Sequence, residues 1–99
     1  MKEIEWLVDN IDEELADSCK YIDKALMEKE DHPDWANSFY QLSQQEMAHA
    51  EVLHGMAVGL IKAYTGEVPA GMGWVWKREH EKYIDHASRI KMKWDMYRK

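Results

Sequence analysis

The chain carries one cysteine, Cys19, and two prolines in 99 residues. A lone cysteine excludes an intrachain disulfide and any cysteine-built zinc or iron–sulfur site, and it points to a cytosolic, cytoplasmic protein. No apolar run approaches the roughly 18 residues of a membrane span. The opening Met1-Lys-Glu-Ile-Glu-Trp6 enters an acidic amphipathic pattern at once, which argues against a secretory leader. Positive charge is scarce: 13 Lys and Arg stand against 19 Asp and Glu, a net of −6, so nucleic acid is not expected as the main partner. The scarcity is uneven. Residues 1–76 hold 5 Lys/Arg against 15 Asp/Glu, a net of −10, while residues 77–99 hold 8 against 4, a net of +4. The basic end reads as a solvated helix face, with an anion-binding or docking surface as the alternative.

What is present is a globular composition, 45% hydrophobic and 32% charged, in a length that suits one domain. A domain this small buries only about two-thirds of its unfolded surface, so its core must be efficient or shared with a partner. Glycine and proline gather at two places. Pro33 follows Asp31 and His32, either of which can cap a helix that takes Pro33 in its first turn. Gly66, Pro69, Gly71 and Gly73 crowd the stretch from Thr65 to Gly73, with Gly66 placed as a helix C-cap. The segments between predict helices over about 3–30, 33–65 and 74–98. Gly55 and Gly59 inside the second weaken it but would let a neighbour pack closely.

Each segment carries a 3,4-spaced stripe. The first is Ile4, Leu7, Ile11, Glu14, Ser18, Tyr21 and Ala25; the second is Leu42, Glu46, His49, Leu53, Met56, Leu60 and Ala63. The third is Trp76, His80, Tyr83, Ala87, Ile90, Trp94 and Tyr97. That spacing is the seam of helices packed nearly parallel, and no alternating strand pattern competes. The expectation is an all-α protein: an antiparallel helical hairpin plus a third helix.

Four polar residues interrupt the seams: Glu14, Glu46, His49 and His80. A buried carboxylate needs a proton, an ion pair or a metal. Glu46-Met-Ala-His49 is a Glu-x-x-His motif whose two side chains leave one helix face and can reach one cation. Less than one such pair is expected by chance, and a second occurs at Glu51-Val-Leu-His54. Glu51 lies roughly 200° from His49 around the helix, so Glu51 and His54 read as surface or rim and Glu46 and His49 as inward-facing. Counting from a turn near 31–32 places Glu14 at the height of His49 and within a turn of Glu46. One Glu from one helix and Glu-x-x-His from the next is half of a di-iron or di-manganese carboxylate site. On the third helix, Glu79, His80 and Glu81 fall roughly 12–15 Å short of the required level, and only His86 comes within about a turn of it. A two-fold dimer would supply the missing half and complete a four-helix bundle. The second helix is apolar over more than one face, as a helix with several neighbours would be.

Glu14-Leu-Ala-Asp-Ser-Cys-Lys-Tyr21, followed about 30 residues on by Gln45-Glu46-Met-Ala-His49-Ala50-Glu51, resembles the first half of the ferritin-like superfamily, in particular rubrerythrins and short encapsulated ferritins. The resemblance spans about residues 5–62. It implies that Glu14 is a terminal or bridging iron ligand, Glu46 the bridging carboxylate, His49 a terminal ligand and Tyr21 an aromatic near the metals. It also implies oxidation of Fe(II) by O₂ or peroxide. The second Glu-x-x-His and the rubredoxin-type cysteine pairs are missing, so the site depends on a homodimer or higher homo-oligomer and has no built-in electron donor. The end Trp94-Asp-Met-Tyr-Arg-Lys99 shows no obvious shell-targeting peptide, and an encapsulating shell stays open as a partner. The other reading is a metal-free helical structural or interaction module with a vestigial site. Asp17 reads as a solvated residue or the lining of a cation path, His80 as a packed core histidine, and Cys19 as a small buried apolar residue. The five tryptophans read as core and interface anchors.

Overall fold

A computed structural model describes residues 2–63 and 70–99. It contains three helices: α1 (Lys2–Glu28), α2 (Pro33–Lys62) and α3 (Ala70–Arg98). No strand occurs among the described residues, so the all-α expectation holds. Among the same residues no helix is long and apolar enough to cross a membrane. The expected C-cap Gly66 and the end of the second helix at 65 lie outside the described residues.

The first turn forms around His32, the N-cap of α2, with Pro33 at N1, where its missing N–H goes unneeded. The His32 side chain does not cap. Its Nδ1 instead meets Glu28 Oε2 at 2.6 Å and its ring stacks on Trp35 at 4.1 Å, while its backbone N–H donates to the Glu28 carbonyl at 2.8 Å. The third helix begins at Ala70, four residues earlier than the glycine cluster predicts, so Gly71 and Gly73 fall inside it. Met72, fully buried against Ile4 and Ala57, draws those residues into the helix despite their poor propensity.

α1 and α2 pair antiparallel, and α3 returns along the same face of both, parallel to α1. The bundle measures 55 × 17 × 15 Å. One core cluster joins Ile11, Leu15, Ile22, Met47, Ala50 and Ile90. The other joins Ile4, Leu7, Val8, Ala57 and Met72. Between α1 and α2 sits a buried serine clasp. Ser18 Oγ donates to the Ser43 carbonyl and Ser43 Oγ to the Ser18 carbonyl, both at 2.7 Å, and Trp94 Nε1 donates to Ser43 Oγ at 2.8 Å. Small residues here let the two backbones approach, and the carbonyls accept through lone pairs their helices leave free. The clasp fixes the register of the hairpin.

One expected seam departs at two positions and another is displaced. On α1 the expected Ile4, Leu7, Ile11, Ser18 and Ala25 are buried, but Leu15 and Ile22 take the places expected of Glu14 and Tyr21, which sit one residue around, half-buried at the edge. On α2 the core stripe is Ala36, Ser43, Met47, Ala50 and Ala57 rather than Leu42, His49 and Met56, which are exposed. Close helix approach selects the small residues and leaves the bulkier stripe on the flank. Gly55 and Gly59 have nothing within 4 Å of an added Cβ, so among the described residues no neighbour uses their smallness. The stripe on α3 is as expected, with Ala87 and Ile90 buried and Trp76, His80, Tyr83, Trp94 and Tyr97 half-buried.

Candidate metal centre

The clasp determines where the polar residues meet. Glu14 lies one turn before Ser18 on α1, and Glu46 and His49 lie one to two turns after Ser43 on α2, so antiparallel pairing brings all three to one height. His49 Nδ1 stands 3.5 Å from Glu14 Oε2 and 3.7 Å from Glu46 Oε2. One donor atom from each residue lies within 4.8 Å of the other two. The three sequence-predicted ligands are therefore together. They do not point into the core. The His49 side chain is 61% exposed, and Glu14 and Glu46 are half-buried beneath it, on the face of the hairpin opposite α3.

The electrostatics of the cluster are unresolved without a further charge. Glu14 Oε2 is buried and accepts no well-formed hydrogen bond. The Glu46 carboxyl is held above its usual range, chiefly by the neighbouring Glu14 carboxyl. Burial and the repulsion of Glu14 and Asp17 add to that shift, while His49 opposes it. A cation would relieve both conditions. Ligand atoms about 2.1 Å from one ion, at angles of 90–120°, stand roughly 3.0–3.6 Å apart. The observed separations of 3.5 and 3.7 Å need only a small contraction to reach that. The donor set of two carboxylates and an imidazole suits Fe(II) or Mn(II).

Around the cluster, the uncovered face continues as apolar surface. Trp6 (59% exposed), Leu42 (36%) and Met56 (54%) lie on it. Tyr21 stacks on Phe39 with ring centroids 6.2 Å apart, under Lys20 Nζ at 5.0 Å. It stands two turns, about 10 Å along the axis, from Glu14. Asp17 is half exposed and paired with Lys20 at 3.7 Å. Among the described residues no α3 side chain joins the group, His86 included. Cys19 is half-buried rather than buried, between Asp23 and Lys93 at 3.7 Å each.

A second polar group lies under α3. His54 was expected with Glu51 at the surface or rim. Glu51 is exposed and meets Lys91 at 3.7 Å, but His54 turns beneath α3, where its Nε2 meets His80 Nδ1 at 3.0 Å. Its ring stacks on Tyr83 at 4.2 Å. Burial and then His80 push the His54 pKa down. Alongside, burial and Asp12 push Glu79 up, and Lys82 reaches Asp12 at 3.3 Å and Glu79 at 3.9 Å. The spacing Ala50, His54, Ala57 and Ile61 is the signal that places His54 on a packed face. Comparison of the chain with protein-family models, with curated proteins and with solved structures yields no match.

Proposed function

We propose that this chain is a ferritin-like metal-binding protein whose di-iron or di-manganese carboxylate site is shared between two copies, each giving Glu14, Glu46 and His49. It would act as a ferroxidase or a peroxide-consuming oxidase. The observation that carries the reading is the meeting of the three side chains on the one face of the hairpin that α3 leaves uncovered. A mononuclear, fully enclosed site would sit inside the bundle. This one opens outward, where a two-fold mate can present the same residues.

The bound pair of ions would supply one-electron chemistry toward O₂ or peroxide. Two Fe(II), taken up as substrate, give two electrons in all, reducing O₂ with two protons to peroxide, or peroxide with two protons to two waters. The chain's own contribution is to hold and neutralise. Glu14 and Glu46 supply the negative charge and His49 the nitrogen donor, and because all three bind a cation only when deprotonated, uptake would be stronger as pH rises. Tyr21, stacked on Phe39 two turns away, orders the apolar surface beside the site.

Anaerobic titration with Fe(II) and with Mn(II), followed by metal analysis, tests the reading. The expected result is about one tightly held ion per chain, lost in Glu46→Ala, with Fe(II) oxidation lost in parallel. Wild-type protein that retains no stoichiometric iron or manganese, from growth in either metal, would establish the metal-free helical module instead. The observation favouring that second reading is His49, whose Nδ1 lies 3.5 Å from Glu14 and 3.7 Å from Glu46 and so offers both carboxylates a partner without a cation.

A further inference from the structure

On the side of the hairpin away from the candidate metal centre, α2 and α3 meet through two histidines. His54 Nε2 and His80 Nδ1 stand 3.0 Å apart, while the ring centroids are 5.2 Å apart with planes 19° from parallel. Centroids that far apart behind nitrogens that close require the rings to meet edge to edge in nearly one plane. The contact is therefore an N–H···N hydrogen bond aligned along its axis. Tyr83 stacks on His54 at 4.2 Å, and Trp76 lies 5.3 Å from His54 and 5.2 Å from His80. All four side chains are half-buried. Such a bond needs one nitrogen that carries a proton and one that is bare. The two rings can hold one proton more than the neutral pair, but not two. With both rings cationic, two N–H groups would point at each other across the 3.0 Å gap.

We propose that this pair is an acid-operated latch: uptake of its second proton between about pH 7 and 5.5 releases the first half of α3, residues 70–83, from the hairpin while the second half stays docked. The latch uses no residue of the metal centre and stands independently of that reading. The two halves of α3 are held differently. The second half docks through buried Ala87 and Ile90, through Trp94 Nε1 donating to Ser43 Oγ at 2.8 Å, and through Lys93 on Asp23 at 2.7 Å. None of these contacts involves a histidine. The first half docks through Met72, buried against Ile4 and Ala57, and through the histidine pair with its aromatic neighbours. Gly71 and Gly73 each cost that half about 1 kcal/mol of helix propensity, so once undocked it has little helicity of its own to keep.

The charges around the pair do not neutralise a second proton. From α1, Asp12 lines the same small cavity, but Lys82 reaches its carboxylate at 3.3 Å and Glu79 hydrogen-bonds to it. From α3, Glu79 is held above 4.5 by burial and Asp12, and Arg78 lies outward at 3.9 Å from it. On α2, Glu51 turns away to Lys91 at 3.7 Å. Burial and then Glu51 push Tyr83 further above 10, so it stays neutral. Burial and then His80 hold His54 below its ordinary 6.5, so the released segment binds the proton first and release is favoured as pH falls below that value. Glu79 acts in the opposite sense: its raised carboxyl favours docking at low pH, and Glu79→Gln removes that contribution.

Hydrogen exchange of the full chain in chelator, at pH 7.5 and 5.5 and corrected for the intrinsic pH dependence of exchange, tests the latch. A tenfold weaker hold on the second proton than a free histidine has makes release tenfold easier once pH lies below both values. Protection of amides 74–83 should therefore fall about tenfold on acidification while amides 88–96 and the cores of α1 and α2 keep theirs. His54→Gln and His80→Gln each leave a single histidine, whose proton the glutamine carbonyl can accept, and should abolish the response; Glu79→Gln should leave it in place. Protection lost evenly over all three helices, protection unchanged at 74–83, or a response kept in either histidine variant overturns the proposal. Should a glutamine variant fail to fold, nuclear magnetic resonance titration of wild type decides. One histidine of the pair should still be titrating well below 6.5, with the loss at 74–83 following it, and two histidines titrating together near 6.5 overturn the latch.

Discussion

Glu46→Gln should make the metal-free protein more stable at neutral pH and at the same time abolish its response to metal. The carboxyl oxygens of Glu14 and Glu46 lie within 4.8 Å of each other. Two unit charges at that distance repel by about 3.5 kcal/mol at an effective dielectric of ~20, and solvent exposure, salt and the nearby His49 reduce this to ~1 kcal/mol. The sign follows from the Glu46 carboxyl being raised above 4.5. Between 4.5 and its higher folded value, the native state binds more protons than the unfolded chain, so wild-type stability falls as pH rises through that window. Glutamine does not titrate, so the variant should lack that fall and be about 1 kcal/mol more stable above the window. Metal reverses the ranking. At a hundredfold excess over its dissociation constant a native-state ligand adds about 2.7 kcal/mol, a gain wild type should show with Mn(II) and Glu46→Gln should not. The assay is urea unfolding followed by circular dichroism at fixed protein concentration, at pH 5 and 7.5, with chelator or Mn(II). A variant that is less stable than wild type in chelator would refute the argument that the carboxylate pair is under strain awaiting a cation. A variant that keeps the Mn(II) gain would refute the assignment of Glu46 as a ligand.

Other perturbations probe the scaffold that positions the site. Ser43→Ala removes a buried hydroxyl that donates to the Ser18 carbonyl and accepts from Trp94 Nε1, and should cost about 2 kcal/mol in unfolding free energy, mostly from the orphaned indole N–H. Adding Trp94→Phe should recover part of that loss in a double-mutant cycle; strict additivity would refute the clasp. Leu15→Ala, at a fully buried position between the two sites, should cost 2–5 kcal/mol in urea unfolding, and a loss below about 1 kcal/mol would refute the core assignment. The His54 pKa is lowered from 6.5, so the unfolded chain binds the extra proton first, and stability present above about pH 6.5 is lost as pH falls below it. His54→Gln should flatten the stability profile between pH 7 and 5.5 by removing that titration, as measured by thermal unfolding across the range.

The helices were legible because their boundaries are chemical: Pro33 cannot continue a helix begun before it, and nothing inside either long segment forbids one. The height at which Glu14 meets Glu46 and His49 was legible for the same reason, since a short turn and a rise of 1.5 Å per residue set the register of an antiparallel pair. The rotation of each helix was not. Leu15 rather than Glu14, and Ser43 and Met47 rather than Leu42, take the central positions because the backbones approach closely where serine and alanine permit it, and periodicity alone cannot rank a narrow stripe of small residues against a broad stripe of large ones. His54 was misplaced because the far side of α2 looks like solvent until α3 is laid over it; the pairing with His80 joins segments 26 residues apart. In the proposed dimer the displaced stripe would have a use. Leu42, Glu46, His49 and Met56 keep a seam's 3,4 spacing on a face that α3 does not cover among the described residues, and on α1 Trp6, Asn10, Glu14 and Tyr21 follow at steps of four and seven. A monomer would gain nothing from two bulky stripes aligned on one open face, with half a ligand set at their centre. The same pattern is what the inner surface of a dimer requires, so the misreading of these stripes as the core of one hairpin and their reading as the core of two differ only in which chain supplies the opposing side.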